Sequence, residues 1–502
     1  MRASDREIMI EYQMSIGGEG RNASSGAVLA VSDPFTGEDF ATIPDATATD
    51  VDDAIAAARD SFETTWSRVS GVDRARMMNR LADLIDERAD ELGMLETRDN
   101  GKLVRETTGQ ARFAARNYRY FAGWADKLTG KTIPLDAPDF FDYTVRQPLG
   151  VAALITAWNS PMQLLANKLA PALAAGNTVV IKPSEHASVT TMVLAELVEK
   201  AGFPAGVVNI ISGGVEAGTR LTSHPGLDRI SFTGSVPVGQ AIAAATAKTL
   251  VPVTLELGGK SPNIIFEDAD IDRAIRGALV GIFSAGGQTC IAGSRLLVQR
   301  SVYDRVVAAL ADRASAIRLG DPKQARTQMG PVANRAQFER VNQRIRDGVD
   351  SSARMVAGGS GERARELPST GLFVPPTVFA DVDNQSSLAR DEIFGPVLSI
   401  IPFDTEDEAI SVANTSDFGL ASGIWTQNLS RAHRVASALV AGTVWVNTYR
   451  MSAAQAPFGG VKKSGFGRER GEEALGEYLR TKNVMINLGD DGVDPFAVDE
   501  EH

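Results

Sequence analysis

The chain has 502 residues, 43% hydrophobic and 23% charged, enough to bury a sizeable core, which excludes a disordered polymer. A formal charge of −12 opposes binding to nucleic acid or to an anionic membrane surface. One cysteine, Cys290, and four histidines exclude internal disulfides and a cysteine-cluster zinc site, and no metal centre is expected.

At about 150 residues per domain the length predicts two to four domains. The first residues carry charges and no apolar core of signal-peptide length. The longest apolar stretch, Met162–Ile181, is interrupted by Asn167, Lys168, Pro171 and Asn177. A cytoplasmic protein is expected.

In chain order, Val51, Ile55, Ala58 and Phe62 repeat at helical spacing over 51–68, with Thr49 as N-cap and Asp52 three residues on. A second long helix carries Leu81, Leu84, Ile85 and Leu92. A third, about 103–127, is rich in aromatics (Phe113, Tyr118, Tyr120, Phe121, Trp124) that read as core packing. Residues 131–148 alternate between two flanks of proline and read as an extended arm or hairpin.

From residue 150 the pattern becomes regular. Strand-like runs occur at Val151–Ile155, Thr178–Ile181, Val207–Ile211, Asp228–Phe232 and Pro252–Leu255, with helical stretches between them. That alternation predicts an α/β, doubly wound parallel sheet of Rossmann type. A second α/β alternation follows Gly259, with strands at Pro262–Phe266, Arg295–Gln299, Val397–Ile401, Gly423–Thr426 and Thr443–Asn447, and helices near 270–284, 302–318, 406–414 and 429–440. The tail, 489–502, is acidic and reads as mobile or as an edge contact.

Cys290 sits in GGQTCIAG. A lone cysteine is commonly a small buried hydrophobe, but flanking glycines let a ligand approach the backbone and free the Cys290 N–H for an oxyanion. No histidine lies in a comparable setting, so a carboxylate is the expected base. Glu256 ends the run PVTLE, where burial raises a carboxyl toward a useful value; pairing with Lys260 is the competing reading. Phe232-Thr233-Gly234-Ser235, with Gly239 beyond, lies between a strand and a helix, where a pyrophosphate meets a helix N-terminus. Lys182 and Glu185 in IKPSE could bind sugar hydroxyls or form a surface pair, and Asn159 could donate to an oxyanion or close a turn.

Together these stretches resemble the aldehyde dehydrogenase superfamily. The matching segments are WN at 158–159, IKPSE at 181–185, FTGS at 232–235, LELGGKSPNIIFEDAD at 255–270, GGQTC at 286–290, EIFGPV at 392–397 and PFGGVKKSGFGRE at 457–469. Their order fits nearly the whole chain, about residues 30–488. The resemblance implies an NAD-binding domain over 1–129 and 149–257, a catalytic domain over 258–470, and a small β oligomerisation arm and tail from 130–148 and 471–502.

It also implies roles. Cys290 would attack the aldehyde carbon, Asn159 and the Cys290 N–H would hold the oxyanion, Glu256 would activate the hydrolytic water, and Glu469 would relay protons. Glu392 and Phe394 match the nicotinamide-ribose region, Lys182 and Glu185 the adenosine ribose, and Trp158, Gly234, Ser235, Gly239 and Leu257 the remaining cofactor cleft. NAD is the implied cofactor because Glu185 should repel a 2′-phosphate, although Lys182 could tolerate NADP. Ser160, Asn167, Thr289, Ile291, Ser452 and Phe458 would line the substrate tunnel, and the small polar members predict a tunnel wider or more polar than one for short alkanals. Arg450 reads either as a partner for a substrate carboxylate or as a solvated side chain.

The implied product is a carboxylic acid, the implied partner a small aldehyde, and the implied assembly a homo-oligomer, tetramer before dimer. A CoA-acylating semialdehyde dehydrogenase is the alternative within the fold, but such members usually lack the glutamate that Glu256 supplies. A non-catalytic binding or structural protein is the alternative outside it.

Overall fold

The computed structural model describes residues 9–358, 367–489 and 496. The first eight residues and most of the acidic tail lie outside them.

An eight-stranded sheet forms first. Its central strands are Val151–Thr156, Thr178–Pro183, Val208–Ile210, Arg229–Thr233 and Val253–Glu256, all parallel. Taken in chain order as one to five, they lie 3-2-1-4-5 across the sheet, the Rossmann arrangement. They read as unbroken apolar runs because both faces are covered; Val151–Thr156 is buried at every position. The reversal in strand order falls between Val151–Thr156 and Arg229–Thr233, so a cleft opens beyond their carboxyl ends.

Two antiparallel strands near the N-terminus, Met14–Ile16 and Glu19–Arg21, extend one edge. Gly465–Phe466 pairs with Val253–Glu256 at the other, so the chain returns to this sheet from within the stretch expected to belong to the second domain.

The second sheet has seven strands. Five correspond to those expected, and Arg354–Ala357 and Thr377–Ala380 are added at one edge. A separate three-stranded sheet pairs Leu479–Asn487 antiparallel with Phe140–Pro148, from Leu479 opposite Pro148 to Asn487 opposite Phe140. Among the described residues no helix is long and apolar enough to cross a membrane.

Three local expectations need correction. The first helix runs Ala48–Thr64 and is capped by Thr47, not Thr49. Thr47 accepts from Asp50 N while the Asp50 carboxylate accepts from Thr47 N at 2.8 Å, a reciprocal box that Thr49 and Asp52 do not form. The single helix expected to carry both Leu81 and Leu92 is two, Gly71–Glu87 and Ala89–Asn100, broken at Arg88. Of the aromatics on helix Val104–Ala122, Tyr118 and Phe121 are buried core, but Phe113 faces a cavity.

Candidate active site

The loop 284–290 leaves helix Ile271–Phe283 with three successive left-handed residues, Ala285, Gly286 and Gly287. Gly287 is required there twice over. Its φ is +72°, and a Cβ would sit 2.1 Å from the carbonyl oxygen of Gly395. The side chain of Gln288 locks the turn, accepting from Ala333 N at 2.9 Å, and Glu106 accepts from Ala285 N at 2.9 Å. The result presents Cys290 half-buried at the meeting of two cavities.

The first cavity, about 130 Å³, lies beyond the carboxyl ends of the Rossmann strands. Trp158, Asn159, Gly234, Ser235, Glu256, Leu257, Cys290, Glu392 and Phe394 all line it. Ser235 stands at the N-cap position of helix Val236–Thr246 without a side-chain capping bond. Gly258 leaves room for the Glu392 carboxylate, since a Cβ there would stand 2.1 Å from Oε2, and Gly259 N donates to Glu392 Oε1 at 3.0 Å. Burial pushes the Glu392 carboxyl up to about 7.

Phe394 adopts φ +57°, a conformation that costs a non-glycine residue about 1–3 kcal/mol. Gln337 holds it by donating to the Ile393 and Phe394 carbonyls at 2.9 and 2.8 Å, and its ring meets Trp158 edge-on at 5.2 Å. The Gly258 recess, the helix N-terminus at Ser235 and this aromatic pair fit a dinucleotide. Gly239 sits one layer below, with the Leu257 side chain where a Cβ would go. Lys182, buried at its strand end, and the half-buried Glu185 lie outside both cavities, Lys182 against helix Val215–Ser223 at Gly218. Burial holds the Lys182 ammonium below its usual range.

The second cavity, about 280 Å³, is lined by Asn159, Ser160, Thr289, Cys290, Ile291, Ser452 and Phe458. Asn167, expected there, is turned away behind the wall. It lies one turn past Gln163 and Leu164, which do line the cavity, and its amide donates to Glu469 and accepts from Arg470.

Cys290 and Asn159 belong to both cavities. Asn159 Nδ2 spends one hydrogen on the Gln288 carbonyl at 3.1 Å, leaving the other available. Lys102 fixes this loop. Its ammonium donates to Asn159 O at 2.8 Å, Ser160 Oγ at 2.9 Å and Gln110 Oε1 at 3.0 Å.

Glu256 ends strand Val253–Glu256, 3% exposed, with neither carboxylate oxygen hydrogen-bonded. Burial holds it well above the usual carboxylate range, and the charge of Glu469 adds to this. Glu469 does not reach either cavity. It is ion-paired with Lys168, which is wholly buried and also donates to Ser231 at 3.1 Å. Burial pushes the Cys290 thiol up to about 12, helped by Glu392 and Glu256; Arg470 and the Cys290 backbone N–H act the other way.

Lys102, Phe113, Lys168 and Arg470 lie outside every quoted motif, and Gln288 lies within GGQTC without a role assigned to it. Lys168 had one usable signal: a lysine inside a long apolar run must find a buried partner. Among the described residues no group of histidine, cysteine and acidic side chains could hold a metal.

The family model for the aldehyde dehydrogenase family matches residues 21–484. An aldehyde dehydrogenase of Davidiella tassiana is 45% identical, covering 93% of each chain. Retinal dehydrogenase 2 of Homo sapiens is 42% identical over 96% of this chain and 93% of its own. Betaine aldehyde dehydrogenase of Staphylococcus aureus, solved in complex with NAD+, superposes with a TM-score of 0.95 at 38% identity, covering 97% of each chain.

Proposed function

The chain belongs to the aldehyde dehydrogenase family, and on that premise we propose that it oxidises an aldehyde to the carboxylic acid with NAD as hydride acceptor. The observation that carries this reading is the position of Cys290, shared with Asn159 between a cleft shaped for a dinucleotide and a separate cavity.

The aldehyde enters by the second cavity. Glu256 accepts the proton of the Cys290 thiol, and the sulfur bonds to the carbonyl carbon as the C=O π pair moves to oxygen, forming a thiohemiacetal. Its oxygen takes the negative charge, and the free hydrogen of Asn159 Nδ2 and the Cys290 N–H donate to it. Trp158, Ser235, Glu392 and Phe394 would hold NAD, which would supply the acceptor for the hydride of that carbon; Cys290 is then left carrying a thioester.

Glu256, once it has released the thiol proton, takes a proton from water, whose oxygen attacks the thioester and expels the Cys290 thiolate. Its raised affinity for protons makes it a better base than an exposed glutamate once ionised. Glu469, whose charge acts on Glu256, is the second glutamate expected to relay protons. Glu185 is expected to accept from the adenosine ribose and so to favour NAD over NADP.

The same reading makes the protein a homo-oligomer, a tetramer before a dimer. Support comes from the arm Phe140–Pro148 and Leu479–Asn487, which leaves Phe140, Phe141, Met485 and Ile486 exposed.

The test follows NADH absorbance with an aldehyde panel, with and without CoA. Oxidation independent of CoA, falling more than about a thousandfold in Cys290→Ser, is the expected result. Activity that survives the serine substitution overturns the mechanism, and a requirement for CoA returns the acylating alternative.

A further inference from the structure

The second cavity is electrostatically one-sided. Its wall carries Lys102, Arg450 and Arg470 against one carboxylate, Glu106. These charges are not equally available. The Lys102 ammonium already has three acceptors, from Gln110, Asn159 and Ser160. Glu106 is spent on the backbone, accepting from Ala285 N at 2.9 Å and Leu103 N at 3.4 Å.

The two arginines are different. Arg470 is 7% exposed, and its guanidinium lies 4.7 Å from the ring of Phe458 and 5.3 Å from that of Phe113. It donates to Asn167 through Nε at 3.2 Å and to Ser452 through Nη1, while Nη2 has no acceptor among the described residues. Arg450 is held by a left-handed backbone, φ +65°, and its Nη1 meets only the Ser284 and Val280 carbonyls, at 3.1 and 3.4 Å. Neither arginine forms an ion pair among the described residues. Arg470 is buried and Arg450 half-buried, and the carboxylates that act on them, Glu469 and Glu256 on Arg470 and Glu106 on Arg450, do so without an ion-pair contact, so a substrate carboxylate can still offer either one charge-assisted hydrogen bonds.

Taking the second cavity as the entry for aldehyde, we propose that the preferred substrate is an aldehyde bearing a carboxylate at its far end, recognised by Arg450 and Arg470. The same wall disfavours a cationic aldehyde. Its charges repel one, and Arg470 already occupies the aromatic faces of Phe113 and Phe458 that would otherwise attract a quaternary ammonium. Arg450 and Arg470 are thus specificity residues, beyond the oxidation common to the family.

The experiment compares kcat/KM with NAD for 4-oxobutanoate and 6-oxohexanoate, for butanal and hexanal, and for betaine aldehyde. The expected result is a preference of about tenfold or more for an oxo-acid over the alkanal of equal length, with betaine aldehyde last. Arg450→Gln and Arg470→Lys should each lower that ratio about tenfold, the second because a lysine keeps the charge but not the fork. The parent panel decides even where a variant fails to fold. An alkanal or betaine aldehyde preferred over both oxo-acids overturns the proposal while leaving the proposed reaction intact, as does an unchanged ratio in both variants. NADH from none of the aldehydes overturns both.

Discussion

Replacing Lys168 by Met tests the buried pair behind Glu256. The two side chains are similar in length, so the change removes a charge and leaves little void. Lys168 is 0% exposed and Glu469 3%, and the donor left to the Glu469 carboxylate is Asn167 Nδ2 at 3.3 Å. Breaking one side of a buried pair costs about 3–5 kcal/mol. Protonation sets a ceiling of the same size, because forcing a glutamic acid neutral near pH 7 costs about 4 kcal/mol. A loss of about 3–4 kcal/mol in denaturant unfolding is therefore expected for Lys168→Met. The double variant with Glu469→Leu should recover about 2 kcal/mol of it, since no charge remains stranded. The kinetic signature is sharper. Glu256 works ionised, so kcat rises as pH passes its pKa, which Glu469 raises and Lys168 lowers. Lys168→Met should move the acid limb of the kcat profile to higher pH, and Glu469→Gln to lower pH. A cost below about 1 kcal/mol, or limbs that move the same way, would refute the reasoning.

Three further outcomes are expected. Asn159→Ala should lower kcat about 10²- to 10³-fold in steady-state assays, the usual loss for one oxyanion donor. Lys102→Met should lower kcat up to about a hundredfold with the KM for NAD little changed, since the loop bearing Asn159 loses the cation bonded to its carbonyl; equal losses in both parameters would contradict a positioning role. Glu185→Ala should narrow the NAD over NADP preference in kcat/KM, and an unchanged ratio would remove Glu185 from cofactor choice.

The parallel strands were legible because burial on both faces forces them into uninterrupted apolar runs. The N-terminal strands were not: Glu19–Arg21 is exposed throughout and has no apolar side to show. The helix break at Arg88 falls in DERADEL, with neither glycine nor proline to mark it. The N-cap was ambiguous by two residues because Thr47 and Thr49 each precede an aspartate by three. Motifs brought together the residues around Cys290, since those side chains end strands or follow glycine turns. Lys102, Lys168 and Arg470 act through partners 57, 301 and 303 residues distant, a pairing that no local pattern displays.

The proton on Cys290 has a protective side. Burial pushes the Cys290 thiol well above its usual range, so near pH 7 it rests protonated. Peroxides and alkylating agents react with the thiolate, so the resting chain is a poor target for both. With no second cysteine, a sulfenic acid formed at Cys290 has no partner within the chain to resolve it as a disulfide. Burial therefore guards the chain's single thiol by keeping it protonated at rest.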